Sequence, residues 1–224
     1  MIHHPTQPAV IFDMDGVLVD SYAAHREAWR AMGAADDLPF DEAKFRSLFG
    51  RTSKPIVEAL WGVGRYTDAQ LAELNDRREA AFRRIAIDPF PAMPGAYNLL
   101  TALHAAGFAL AVGSSGPPEN IAMVLERLRA RPLFDAVVTG ADVRHGKPSP
   151  EVFLTAAARL GVAPARCVVV EDAPPGVEAA NRAGMICIGM AGGDAPARDL
   201  GAARLVVNAL AEITPSVIRG LLGP

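Results

Sequence analysis

Six short apolar runs recur along this chain, at residues 9–12, 108–112, 136–138, 167–170, 186–188 and 204–207. They are nearly unbroken rather than alternating between hydrophobic and polar. A strand of that kind is covered on both faces, as in a parallel sheet buried between helices. Between the runs lie amphipathic stretches at 94–106, 118–130, 150–160 and 174–183, each opening on a proline. Proline suits the first turn of a helix, and Gly107, Gly161 and Gly184 follow three of these stretches, where a helix ends most easily. The alternation predicts an α/β fold: a doubly wound, parallel, Rossmann-like sheet.

One segment breaks the rhythm. Between residues 21 and 88 no strand is predicted, and helical patterns run over 22–32, 41–49, 55–61 and 67–87. Thr67 and Asp68 are placed to cap the last of them. An insertion of about seventy residues is too long for a loop and reads as a domain of its own. The expected organisation is an α/β core of residues 1–20 and 92–224 with an inserted α-helical cap domain of residues 21–91. Pro89, Pro91 and Pro94 would stiffen the second connection.

Composition removes several classes of function. The 224 residues are 50% hydrophobic, enough for a sizeable core, and the net charge is −3. No basic stripe suggests a nucleic-acid partner. No window reaches the roughly 18 apolar residues that a membrane span needs, and no signal-peptide stretch opens the chain, so no membrane partner is expected. Cys167 and Cys187 both sit in apolar runs, which reads as two buried thiols in a reducing cytoplasm.

In an open α/β sheet, ligands bind beyond the carboxyl ends of the strands. The residues at those ends are therefore the candidates. Asp13, Met14, Asp15 and Gly16 follow the first run, and Gly113, Ser114, Ser115 and Gly116 follow the second. Lys147 lies between the third and fourth runs, and Glu171 and Asp172 follow the fourth. Asp13, Asp15, Glu171 and Asp172 would crowd on one rim, where like charges raise each other's pKa. A divalent cation removes that conflict. An oxygen-only ligand set without His or Cys fits Mg²⁺ and argues against zinc. Metal, lysine and serine hydroxyl together suit phosphoryl transfer, which depends on positioning and charge stabilisation.

The same residues carry a family resemblance across nearly the whole chain. FDMDGVLVDS from Phe12, VGSS from Val112, GKPSPE from Gly146 and VEDAPPGVEAANRAGM from Val170 resemble the four motifs of the haloacid dehalogenase superfamily, in the branch of β-phosphoglucomutase and phosphoglycolate phosphatase. Members of that branch carry a helical cap after the first motif. The resemblance implies that Asp13 attacks phosphorus to form an aspartyl-phosphate, and that Asp15 protonates the leaving oxygen and then activates water. It implies a Mg²⁺ held by the Asp13 carboxylate, the Asp15 backbone carbonyl and Asp172, with Glu171 alongside. Ser114 would donate to the phosphoryl oxygens, and Lys147 would balance the charge of phosphate and nucleophile. The true dehalogenases of the superfamily lack an acid at the position of Asp15, because a halide leaving group needs no proton.

The expected substrate is a small phosphorylated metabolite, a sugar phosphate or a phosphoglycolate-like ester. Gly16, Ser115, His25, Arg51 and Lys54 are the candidates for contacting it. His25 occupies a place where a histidine occurs in β-phosphoglucomutase and in sugar-phosphate phosphatases. Ser53, rather than an arginine, falls at the position of the mutase's cap arginine, which puts a phosphatase ahead of a mutase. A phospho-receiver switch shares the acidic cluster, the hydroxyl and the lysine. Such domains are about half this length, lack a helical insertion, and phosphorylate an aspartate on an internal strand rather than the first.

Overall fold

A computed structural model describes residues 7–49, 53–191 and 197–223. The chain divides into two compact units, one of Met1–Asp20 with Ala92–Pro224 and the other Ser21–Pro91.

The first unit is built on six parallel strands: β1 (Ala9–Phe12), β2 (Ala109–Gly113), β3 (Ala136–Val138), β4 (Cys167–Glu171), β5 (Ile186–Met190) and β6 (Leu205–Val207). Their order across the sheet is β3-β2-β1-β4-β5-β6. Two strands pair with β1, Val10 lying opposite both Leu110 and Val168. All four β1 residues are fully buried, the reason they are uniformly apolar.

Helices cover both faces. Ala9, Ile11, Ala109, Ala111 and Val169 face one side, where Val152, Phe153, Ala156 and Val177 pack on them. Those four come from α7 (Glu151–Leu160) and α8 (Pro174–Arg182). The alternate residues face the other side, where α5 (Ala96–Ala105) packs on β2 and α9 (Pro215–Leu222) on β4. The connection from β2 to β3 carries α6 (Pro118–Arg127).

The Ser21–Pro91 unit is helical: α1 (Tyr22–Ala35), α2 (Glu42–Leu48), α3 (Ser53–Trp61) and α4 (Asp68–Ala86). Its core is aromatic, with Trp29, Phe45 and Trp61 buried beside Ile56, Val57 and Leu74. Thr67 caps α4 in a reciprocal box with Gln70.

The elements fall where the apolar pattern puts them, with ends shifted by local backbone. The stretch expected to be helical over 118–130 stops at Arg127, because Arg129 turns to a positive φ of 53°. The stretch over 94–106 starts only at Ala96, after Gly95 at φ 84°. Helix α9 has no counterpart among the predicted stretches, although Thr214 and Pro215 are a cap and first-turn pair; the Thr214 hydroxyl accepts from the Val217 N–H at 3.2 Å.

The position of Ile11 makes a direct check possible. Ile11→Ala should destabilise the protein by ~2–5 kcal/mol, read from the urea midpoint, since a fully enclosed site collapses poorly. A loss under about 1 kcal/mol would contradict its placement between two helical layers.

Candidate active site

In the order β3-β2-β1-β4-β5-β6 the winding direction reverses between β1 and β4, and that crevice is where a doubly wound sheet binds ligands. The Asp13 N–H donates to the Val170 carbonyl at 2.9 Å, carrying the β1–β4 ladder one residue further. Asp13 is thereby level with Glu171. The chain then folds back on itself: Met14 O accepts from the N–H groups of Leu18 and Val19, and the Gly16 N–H donates to Val19 O. Gly16 has φ +72°, and a Cβ there would run into the Asp172 carboxylate. The glycine is what lets that carboxylate approach the loop.

Lys147 reaches the crevice from the β3–α7 connection. Its Nζ lies 2.5 Å from Asp13 Oδ1 and 2.6 Å from Glu171 Oε1. The other Glu171 oxygen accepts from the Ala173 N–H at 2.7 Å. Glu171 is 1% exposed and packs so closely on Gly176 that a Cβ there would overlap its carboxylate. One oxygen each from Asp13, Glu171 and Asp172 lies within 4.8 Å of the others. Asp15 is not in this group of three.

Ser114 is buried at the end of β2, which pairs directly with β1. Its N–H donates to Val138 O at 3.1 Å, and its Oγ accepts from the Gly116 N–H at 3.1 Å. Gly116 O in turn accepts from the Gly140 N–H, and a Cβ at Gly140 would strike the Ser115 carbonyl. Ser115 itself is exposed.

Electrostatically this is four carboxylates served by one lysine. Burial raises the Asp13 carboxyl from 3.8 to about 7; Lys147 lowers it, while Glu171 and Asp15 raise it further. Asp172 is also raised well above the usual range, by burial and by the charges of Glu171 and Asp13. Burial alone would lower Lys147, but Asp13 and Glu171 outweigh it and hold its ammonium protonated. A hard divalent cation fits this set on two grounds. The donors are all oxygens, and among the described residues Asp172 takes no hydrogen bond or ion pair although it abuts Asp13 and Glu171.

Of the three predicted substrate residues within 21–91, His25 and Lys54 are described. His25 is buried on α1, its ring stacked 3.9 Å from that of Phe82, with Nδ1 3.2 Å from Arg78 Nη1. Arg78 also donates to Asn75 Oδ1 at 3.0 Å and pairs with Glu79. Sequence reasoning missed this group. The signal was available: Asn75, Arg78, Glu79 and Phe82 stand at i, i+3, i+4 and i+7 on one face of α4, an unusual place for polar residues. Lys54 is exposed on the first turn of α3, 3.7 Å from Asp68. Arg51 lies outside the described residues. The hydroxyl of Ser53 donates to Asn75 Oδ1 at 2.6 Å.

Comparison with known proteins identifies the family. A model of the haloacid dehalogenase-like hydrolase family matches residues 8–184. The β-phosphoglucomutase of Bacillus subtilis is 34% identical over 212 residues, covering 92% of this chain and 91% of that protein. Validoxylamine A 7'-phosphate phosphatase from Streptomyces hygroscopicus subsp. limoneus is 36% identical over 185 residues, covering 80% and 84%. Among solved structures, a family IA, variant 3 hydrolase from Entamoeba histolytica superposes with a TM-score of 0.88 at 25% identity, covering 96% of this chain and 99% of that one. The chain belongs to the haloacid dehalogenase-like hydrolase family. It is an enzyme of the phosphoric monoester hydrolase type found there.

The carboxylate cluster fixes how metal-free protein responds to pH. Because folding raises Asp13 from 3.8 to about 7, the folded state holds its proton more tightly than the unfolded chain. That contribution to stability is complete below pH 3.8 and is lost as pH rises towards 7. Added Mg²⁺ should therefore raise Tm more at pH 8 than at pH 5; equal gains at both would contradict the cluster's electrostatics. Gly16→Ala, which pushes on Asp172, should weaken Mg²⁺ binding roughly tenfold by titration calorimetry.

Proposed function

We propose that this chain is a Mg²⁺-dependent phosphatase of small phosphate monoesters, sugar phosphates or phosphoglycolate-like compounds, acting through an aspartyl-phosphate on Asp13. The observation that carries the reading is the buried Asp13–Lys147–Glu171 bridge beside Asp172 at the β1–β4 crevice. A carboxylate held by a lysine, next to further carboxylates that call for a cation, is equipped to meet a dianionic phosphoryl group.

Asp13 attacks phosphorus with one carboxylate oxygen, and the bond from phosphorus to the ester oxygen breaks. Asp15 gives its proton to the departing oxygen, which leaves as an alcohol. Asp15 then takes a proton from water, whose oxygen attacks the same phosphorus, releasing inorganic phosphate and restoring the Asp13 carboxylate. Ser114 donates a hydrogen bond to the phosphoryl oxygens, and Lys147 offsets their charge. Asp13, Asp172 and the Asp15 main-chain carbonyl would hold Mg²⁺, with Glu171 alongside, and the ion when bound supplies charge neutralisation at the phosphoryl oxygens. Gly16 and Ser115 are assigned to the phosphate end of the substrate, and His25, Arg51 and Lys54 to the remainder.

A second reading, phosphomutase, is favoured by the likeness to β-phosphoglucomutase over 92% of the chain. Against it stands Ser53, a hydroxyl engaged with Asn75 where the mutase carries an arginine. Incubation with β-glucose 1-phosphate separates the two: free phosphate supports the phosphatase, glucose 6-phosphate the mutase.

Asp13→Asn should abolish Mg²⁺-dependent hydrolysis of p-nitrophenyl phosphate without lowering Tm, because it removes the nucleophile and relieves a buried charge. Near-normal kcat in that variant would remove Asp13 from the role. Activity that survives exhaustive EDTA treatment would remove the metal.

A further inference from the structure

The loop that delivers Lys147 is closed by a side chain with no part in the reaction scheme above. Glu151, the first residue of α7, turns its carboxylate back over the loop. Its Oε1 accepts from the Arg144 N–H at 2.9 Å and its Oε2 from the His145 N–H at 3.0 Å, with His145 Nδ1 3.3 Å away. Within the loop, the Ser149 N–H donates to Gly146 O at 3.0 Å, and Ser149 Oγ accepts from the Glu151 N–H at 3.4 Å. The Arg182 guanidinium on α8 donates to Pro148 O at 3.4 Å.

The same turn of α7 also meets the lysine's other end. The Lys147 ammonium lies 4.9 Å from the centroid of the Phe153 ring. Phe153 is fully buried and packs so closely on Gly113 that a Cβ there would come within 3.0 Å of the ring. Phe153 thus fixes the head of Lys147 and Glu151 the backbone at its foot. Arg144, His145 and Gly146 are exposed, and apart from Glu151 no side chain of the described residues holds the Arg144 and His145 amides. An ammonium has three N–H donors. Asp13 and Glu171 occupy two of those on Lys147, and the direction of the third follows from where the loop places the lysine backbone.

We infer that Glu151 is a positioning residue for the reaction: by holding the Arg144 and His145 amides it fixes the Lys147 loop, so that the remaining donor of the ammonium meets the phosphoryl group. This rests on the reading of Lys147 as the cation that faces phosphate. It goes beyond that reading in assigning the lysine's alignment to a residue on another element. A carboxylate at a helix N-terminus also stabilises the helix itself, and the test must separate the two roles.

A double-mutant cycle does so, with kcat/KM for p-nitrophenyl phosphate in excess Mg²⁺ as readout and Tm recorded for each protein. Glu151→Ala should lower kcat/KM about tenfold at assay temperatures far below its Tm, and Glu151→Gln, which keeps one acceptor oxygen, should lose less. In a Lys147→Ala background Glu151→Ala should have no further effect beyond about twofold, because the group it positions is gone. The inference is overturned if Glu151→Ala alone leaves kcat/KM unchanged, or if it costs the same factor with and without Lys147. If Lys147→Ala itself keeps near-normal activity, the assignment of Lys147 falls and takes the inference with it. That outcome is distinct from a crippled Lys147→Ala whose losses simply multiply with those of Glu151→Ala.

Discussion

A single ammonium group, Lys147 Nζ, sits 2.5 Å from Asp13 and 2.6 Å from Glu171, and much of the first unit is organised around that bridge. It joins the ends of β1 and β4, the two central strands of the sheet, and brings in the long β3–α7 connection. All three side chains are nearly removed from water. Charges in such surroundings persist only when paired, and breaking one partner away strands the other. The bridge is incomplete as a charge balance, since Asp15 and Asp172 bring two more carboxylates to the same place. The raised carboxyl pKa of Asp13 follows first from burial and then from the neighbouring carboxylate charges. The fold concentrates negative charge at the switch point beyond what its own lysine neutralises, and this suits the crevice to a divalent cation.

Glycines set how closely these groups approach. At Gly16 the absent Cβ gives room to the Asp172 carboxylate, and at Gly176 to that of Glu171. Gly140 does the same for the Ser115 carbonyl, in the loop that follows Ser114. The acidic cluster is thus defined as much by where side chains are missing as by where they are present. The helical unit adds a different kind of polar group, His25 with Arg78 and Glu79, buried beside the aromatic rings of Trp29, Phe49 and Phe82 and joined by the half-buried Asn75.

What each residue type can do locally was legible in the sequence. Unbroken apolar runs marked strands buried on both faces, and six of the helices (α2, α3, α4, α5, α7 and α8) end within one residue of where the pattern indicates. Asp13, Ser114, Lys147, Glu171 and Asp172 stood out because each follows a strand or the connection to one, and an ordinary α/β sheet brings such ends to one rim. The polar face of α4 was overlooked because a helical stripe of Asn, Arg and Glu reads as solvent-facing until the helix is packed. The part Glu151 plays was hidden for a related reason: an acid opening a helix is unremarkable until its acceptors are seen turned back onto the loop before it.

By itself, then, the amino-acid sequence determined the elements, their parallel arrangement and the set of groups at the strand ends, because periodicity and chain chirality leave little choice once strands alternate with helices. Tertiary structure alone decided the rest. It selected the order in which β1 and β4 become neighbours, and so which carboxylates share Lys147. It put Asp15 outside the tight group of three while drawing Asp172 in against Gly16. Those outcomes depend on distances of a few ångströms between residues more than a hundred positions apart, and charge interactions and desolvation change steeply over such distances. No local pattern encodes them; they exist only once the sheet has closed its register.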